Sequence, residues 1–328
     1  MNNIRKVFAS ILAVSTLTAW GSSSSSTAAA ASAAASASAA STAVAAASGD
    51  PIQIAIPDDP TNGGRAIKLL ESAGLIEVDP AAGYAPETKD ITKYLYNIEI
   101  VPQSADTLPQ TLDDLGAATI NGTYAIPAGL NPEKDGLIIE DQGEGGDNPY
   151  VNVIVARTAD KDNETYKTIV AAFQTQYVAD YILGKYENAF YPVFDYDADE
   201  AEQNKASVVE EVDSYESSED GKTVVTVGVC GANNDQWKAV QKVLDDENAG
   251  IYIELVSFDS YDLPNDALNA GDIDLNSFQH KAYLANEVEA QGYEIEAIGD
   301  TLIAPLTLYS KKYSSLDDLK AAAGTAAE

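Results

Sequence analysis

The sequence predicts an α/β protein built as two lobes. Short apolar strands alternate with helical patterns through two stretches of the chain. An acidic run, residues 195–222, separates those stretches. The length, 328 residues with 45% hydrophobic content, suffices for one large or two medium cores. In the first stretch "PIQIAI" reads as a strand leading to the helix "TNGGRAIKLLESAG", with Thr61 or Asn62 as its cap, Ile67, Leu69 and Leu70 as its apolar side and Gly74 at its end. "NIEIV" then precedes the helix-like "LPQTLDDLG", "AATIN" precedes "GTYAIPAGL", and "GLIIE" and "YVNVIVAR" read as further strands. A long helical stretch from Asn163 to Tyr186 closes this half. Residues 195–222 hold eleven acids and two lysines with no sustained apolar period, the pattern of a solvated linker. After them come the strand "TVVTVGV", the helix "DQWKAVQKVLDDE" with Trp237, Val240, Val243 and Leu244 on one side, the strand "IYIELV", and then "IDLNSF", "YEIEAIG" and "PLTLYS".

The N-terminus has the outline of an export signal. Arg5 and Lys6 precede an apolar run, Val7 to Leu17, that is short for a bilayer span. Residues 21–49, nearly all Gly, Ser, Ala and Thr, lack the apolar surface to fold and read as a flexible tether. The formal charge of −33, from 52 acids against 19 bases, repels phosphate backbones and argues against a nucleic-acid partner. One His and one Cys, His280 and Cys230, leave no basis for a metal cluster or a disulfide, and no cofactor is expected. "VGVCGANND" follows a strand but lacks both phosphate-loop signatures and reads as a tight turn. A Ser–His–acid triad stays open, because its members need only meet in space.

Three groups of polar residues stand out. "IPDDPTNGGRA" puts Arg65 in the first turn of a helix, where orphaned amides and the peptide dipoles favour an anion, and its planar fork suits a carboxylate; a surface pairing with Asp58 or Asp59 is the competing outcome. "TINGTYA" puts Asn121 at a strand end, and "NPYVNVIV" puts Asn152 in a strand, where a buried amide needs hydrogen-bond partners. "FDSYDLPNDAL" and "LNSFQHKAYL" bring Tyr261, Phe278, His280 and Tyr283 to strand ends and loops, a set that is ordinarily core.

Several of these strings together, "SYDLPNDALNAGDIDLNSFQHKAYL", "IGDTLIAPLTLYSKKYSSLDDLK", "IAIPDDPTNGGRAIKLLESAGLI", "TINGTYAIPAGLNPEKDGLIIED" and "NPYVNVIVARTADKD", resemble the methionine-binding lipoproteins of the MetQ/NlpA type, substrate receptors of methionine ABC importers. The similarity covers about residues 52–194 and 223–322. It implies a type II periplasmic-binding-protein fold closing on an amino acid, with Arg65 holding the ligand carboxylate, Asn121 and Asn152 bonding its head group, and Tyr261, Phe278, His280 and Tyr283 forming a slot for the thioether. His280 is then pocket wall and not a catalyst, and the partners are methionine or a related amino acid and an ABC permease with its ATPase. L-methionine, its D-isomer and a methionine-containing peptide stay open as ligands. So do an enzyme on the same fold acting on small amino acid derivatives and a receptor for a different small acid.

The chain departs from the family in three places. The segment starting at "TVVTVGV" comes first in the family and "IAIPDDPTN" follows "LKAAAG", so the order here implies a circular permutation. The expected division is an export signal over 1–20, a Ser/Ala-rich tether over 21–50, lobe 2 over 51–149, lobe 1 from 150–194 together with 223–328, and the acidic linker over 195–222. The expected state is a monomer, with a partner-swapped dimer as the alternative. Trp20 stands where the family has its lipid-bearing Cys, so the expected location is extracytoplasmic with no lipid anchor on the sequence as written. "CGANND" also differs from the family's loop near the ligand.

Overall fold

A computed structural model describes residues 49–83, 85–141 and 148–326. The expected export signal, with Trp20, and nearly all of the tether lie outside these residues.

Lobe 2 is laid down first. Strand β1 (Ile52–Pro57) is buried along its last four residues, as a central strand covered on both faces must be. It feeds α1 (Pro60–Ser72), whose cap is Asp59 rather than the expected Thr61 or Asn62. The Asp59 carboxylate accepts from the Asn62 amide at 2.8 Å, while Pro60 takes the first helical position, where its missing N–H costs nothing. Gly74, at φ +66°, supplies the left-handed residue past the helix end. β2 (Ile76–Val78) and β3 (Ile91–Tyr94) form a small ribbon, followed by β4 (Ile98–Gln103). "LPQTLDDLG" forms only one turn, α2 (Leu108–Thr111). β5 (Ala117–Ile120), α3 (Gly122–Ala125), α4 (Pro132–Asp135) and β6 (Gly136–Ile139) complete the run.

The chain then crosses to lobe 1. β7 (Val153–Arg157) comes first, then the stretch expected as one helix, which is two: α5 (Glu164–Phe173) and α6 (Gln176–Lys185). Thr175 breaks it, because its side chain caps α6 by accepting from the Val178 amide. β8 (Tyr191–Pro192) precedes the acidic segment, which is no solvated linker. It contains α7 (Ala198–Ser214), whose Ala201, Val208 and Val212 are buried. Those three residues recur at seven and four positions, one face of a helix; the acids around them cover the exposed remainder. Gly184 of α6 lets α7 approach so closely that a Cβ there would stand 2.8 Å from the Lys205 carbonyl. β9 (Thr223–Cys230), α8 (Gln236–Asp246), β10 (Ile251–Phe258), α9 (Pro264–Ala270), β11 (Leu275–Asn276), α10 (Lys281–Gln291), β12 (Ile295–Asp300) and β13 (Leu302–Ile303) follow. The chain then recrosses to add β14 (Thr307–Tyr309) and α11 (Leu316–Ala323) to lobe 2.

Each lobe has a five-stranded sheet of the same plan. The orders are β4-β1-β5-β14-β6 and β10-β9-β11-β7-β12. In both, three parallel strands meet an antiparallel strand that arrives from the far part of the chain, β14 in one and β7 in the other. The assignment of all of 223–328 to lobe 1 is therefore corrected. β14 bonds β5 and β6, and Leu306, Leu308, Leu319 and Ala323 are buried with Ile54, Ile67 and Leu70 in the lobe 2 core. An apolar string such as "PLTLYS" specifies a buried strand, but not which sheet takes it. The two crossings run side by side: the Asn152 amide donates to the Leu302 carbonyl at 2.8 Å and the Thr301 amide to the Asn152 carbonyl at 2.9 Å. No helix among the described residues is long and apolar enough to cross a membrane.

Candidate functional site

The loops at the strand ends of both sheets meet in a cleft, and at its centre lies a small cavity. All seven residues singled out from the sequence line it: Arg65, Asn121, Asn152, Tyr261, Phe278, His280 and Tyr283. Lobe 2 supplies Arg65 from α1 and Asn121 from the cap of α3. Lobe 1 supplies the rings, and Asn152 lies on the crossing between them. Asn62, Thr123, Gln279 and Ala304 line it as well and were not anticipated. Asn62 sits one helical turn before Arg65, so the helix start that flagged the arginine also contained a signal for the asparagine. Thr123 and Ala304 have none.

Arg65 is 2% exposed, and its partner is neither Asp58 nor Asp59. Its Nε donates to Glu140 Oε1 at 2.6 Å and its Nη2 to Glu140 Oε2 at 2.5 Å, a two-pronged pair. Nη2 also donates to the Ala304 carbonyl at 3.2 Å, and the guanidinium lies 4.4 Å from the centre of the Tyr150 ring. Nη1 makes no hydrogen bond to a described residue. A guanidinium so deeply buried is stable only with its counter-charge in place, and Glu140 provides it from the end of β6.

A chain of amides crosses the floor. Asn121 Nδ2 donates to Asn62 Oδ1 at 2.8 Å, and His280 Nε2 approaches the same oxygen at 3.3 Å. His280 Nδ1 accepts from the Tyr283 amide at 3.2 Å, capping α10. An accepting Nδ1 places the proton on Nε2, so the ring donates to Asn62 as a neutral imidazole. Burial, with the charge of Arg65 second, holds the His280 titration well below its usual value, in keeping with that tautomer. Asn121 Oδ1 is buried and has no hydrogen-bond partner among the described residues. Gln279, by contrast, is tied up in a separate buried amide cluster with Asn265 and Asn276.

The rings stand together on the lobe 1 side. Tyr261 and Phe278 have centroids 5.8 Å apart, Tyr261 and Tyr283 6.1 Å, and Phe278 and Tyr283 6.1 Å. Cys230 packs behind them, its thiol titration pushed up chiefly by burial. Beyond Phe278 a second small space reaches Asn233 and Asn234 of the "CGANND" loop. The lobes touch around the cavity: Asn286 Nδ2 donates to Thr61 Oγ1 at 2.7 Å, and the Tyr124 hydroxyl donates to the Asp259 carbonyl at 3.1 Å. Gly231 permits the approach, since at φ +73° a Cβ there would stand 2.8 Å from the Thr123 carbonyl. Among the described residues no group of three or more His, Cys, Asp or Glu side chains is placed to hold a metal ion.

Comparison with known proteins bears on the whole of this arrangement. The D-methionine-binding lipoprotein MetQ of Yersinia pestis is 45% identical over 130 residues, 39% of this chain and 46% of the relative. MetQ of Escherichia coli strain K12 is 43% identical over 131 residues, 39% of this chain and 47% of its own. The chain thus spans about half the length of the curated relatives it matches. Among solved structures, the methionine binding protein MetQ is 42% identical over 29% of this chain and 40% of that one, with a TM-score of 0.28. A nutrient binding protein from Burkholderia cenocepacia, solved bound to methionine, is 33% identical over 42% of this chain and 57% of that one, with a TM-score of 0.40. The profile of the NlpA lipoprotein family matches residues 46–194 and 225–327, which between them hold every residue of the cavity and, but for the first two residues of β9, both sheets, and the chain belongs to that family.

Proposed function

We propose that this protein is a non-catalytic, extracytoplasmic receptor that captures methionine or a close relative between its lobes and hands it to an ABC importer. The observation that carries the reading is Asn121 Oδ1, a buried acceptor without a donor in a cavity that has a guanidinium at one end and three rings at the other. Leaving such an atom unmatched costs roughly 1–3 kcal/mol, which a ligand ammonium would recover. The carboxylate then meets Arg65 through Nη1, the arm that Glu140 does not use, with Asn152 beside the head group. The thioether lies among Tyr261, Phe278 and Tyr283, where sulfur gains roughly 0.3–1.5 kcal/mol per ring. The relatives named as D-methionine-binding lipoproteins support the choice of ligand.

Binding is favoured over catalysis by the state of the two groups that could do chemistry. Both nitrogens of His280 are engaged in holding the site together, and the Cys230 thiol is held protonated by burial. A ligand bridging the lobes stabilises the closed form by its differential affinity for it. Calorimetry with L- and D-methionine tests the reading: saturable binding of at least one isomer is expected, and heat from neither refutes it.

We also propose that the chain is circularly permuted relative to its family. The family profile matches most of the chain while a single alignment to each curated relative covers only 39% of it, which supports a reordered chain.

A further inference from the structure

Tyr150 is not among the residues that line the cavity, yet it touches two that do. The Arg65 guanidinium lies over its ring, 4.4 Å from the centroid, and the His280 ring stands at 84° to it with centroids 5.3 Å apart. The ring therefore backs both the cation and the imidazole that bonds Asn62. Its backbone belongs to the lobe 1 side. The Pro149 and Val151 carbonyls on either side of it accept from the Ala282 and Lys281 amides, at 2.9 and 3.0 Å, at the start of α10. The Tyr150 amide donates to Asn148 Oδ1 at 2.8 Å. Arg65 belongs to α1 of lobe 2, so the stack joins the lobes and forms only where α1 and α10 are brought together.

What the stack adds follows from what Glu140 leaves undone. Two parallel hydrogen bonds to one carboxylate hold the guanidinium along one edge, but its plane can still rock about that edge, and Nη1 moves with the plane. A ring laid against the face opposes that motion, because the negative face of the ring attracts the cation. It does so without a charge of its own. A second carboxylate in the same place would repel an incoming ligand carboxylate, and a ring does not. A guanidinium ordered before the ligand arrives spares the cost of ordering it during binding.

We propose that Tyr150 is a positioning residue for the receptor site: tied to the start of α10, it fixes the plane of Arg65 so that Nη1 faces the ligand carboxylate, and it does this only while the cleft is closed. This rests on the reading of the site as an amino acid receptor and deepens it. The ring face is what acts, and neither the hydroxyl nor the bulk of the side chain replaces it. Because the stack belongs to the closed form, it slows ligand release more than it speeds capture.

The test replaces the ring in the whole protein and reads affinity by calorimetry with L- and D-methionine, rates by stopped-flow fluorescence and stability by urea unfolding. Tyr150→Phe keeps the ring face and is expected to bind as the original does. Tyr150→Leu keeps apolar bulk without the face and should bind roughly 3- to 30-fold more weakly, the span of one cation–ring contact from exposed to desolvated, with the change in the dissociation rate. Pentafluorophenylalanine at position 150 has the shape of phenylalanine and an electron-poor face, so it should weaken binding as leucine does; it decides the matter even where the leucine variant fails to fold. A fluorinated ring that binds as tightly as phenylalanine overturns the proposal and leaves the receptor reading intact. So does a loss in Tyr150→Phe as large as in Tyr150→Leu, or a loss confined to the association rate. Heat from neither isomer with the unaltered protein removes the receptor reading and this role with it.

Discussion

The two walls of the cleft are buried by opposite means. On the lobe 2 side the buried groups are polar: Arg65 and Asn62 are each 2% exposed, and Asn121 is 6% exposed. On the lobe 1 side Phe278 and Tyr283 are buried at 9% and 6%, backed by Cys230. Burial of the rings stabilises the fold directly, by roughly 1.5–3 kcal/mol for a large apolar side chain. Burial of the polar wall works against the fold unless each group is matched. The difference teaches where to look for function: the rings alone would be a piece of core, but a floor of amides with an acceptor left over beside a buried guanidinium, all lining one cavity, is a cost that a ligand can recover.

The sharpest way to break this comparison is to remove the centre of the polar wall. Arg65→Ala takes the guanidinium from the Glu140 carboxylate, which also accepts from the Leu306 amide at 3.3 Å, and losing one partner of a buried pair costs up to about 3–5 kcal/mol of stability, readable by urea unfolding. Ligand affinity should fall with it. The double variant Arg65→Ala/Glu140→Gln separates the two roles, because it removes the carboxylate charge together with the guanidinium. Stability should recover toward that of the starting protein while binding stays lost. Recovery of both would show that Arg65 serves the fold and does not touch the ligand.

Much of this was legible in the sequence. Alternating apolar patterns placed most strands of both sheets, and the seven residues singled out do line one cavity. What failed has a common cause, in that local pattern says nothing of distant partners. The pairing of Arg65 with Glu140 joins residues 75 positions apart. β14 looked like a strand of the lobe it follows in sequence and belongs to the other. α7 was hidden because its three buried residues are outnumbered by acids, and a composition reading weighs the majority while packing needs only one face. Ala304 contributes its carbonyl to Arg65 and Thr123 a side-chain hydrogen bond to Tyr261, pairings across the cleft that no local pattern encodes.

A smaller effect probes the contact between the walls. His280 links them, donating from lobe 1 to Asn62 of lobe 2, and burial with Arg65 depresses its titration. In the unfolded chain the imidazole protonates near its ordinary 6.5, while the folded site resists the proton. Below pH 6.5 the unfolded state therefore binds more protons, and folding loses up to about 1.4 kcal/mol per pH unit until the folded titration is reached; above pH 6.5 this contribution is flat. Asp59 and Glu287, raised chiefly by burial, act with the opposite sign, since a lower pH favours the buried carboxylic acid. His280→Gln keeps those acids and removes the imidazole. Its unfolding free energy should fall less steeply than that of the starting protein between pH 6.5 and 5. Equal slopes would mean that the ring is charged or solvated in the folded cleft.

The smallest expected effect concerns chain order, because neither sheet behind the walls is made from one continuous segment. Gly49 and Gly324 meet at one residue: Asn97 Nδ2 donates to the Gly49 carbonyl and the Asn97 amide to the Gly324 carbonyl, both at 3.0 Å. A short glycine-rich join from residue 326 to 49 therefore needs to span only a few residues. The new ends can be opened at Asp220–Gly221, an exposed turn past α7 where Gly221 has φ +77°. Every strand pairing and both walls survive this change on paper, and only the entropy of closing different loops differs, a term that grows slowly with loop length. The rearranged protein should unfold within about 1 kcal/mol of the original and keep its ligand affinity. A rearranged chain that fails to fold, or folds without binding, would mean that the present order itself holds the lobes together and that the family's order cannot be recovered by permutation.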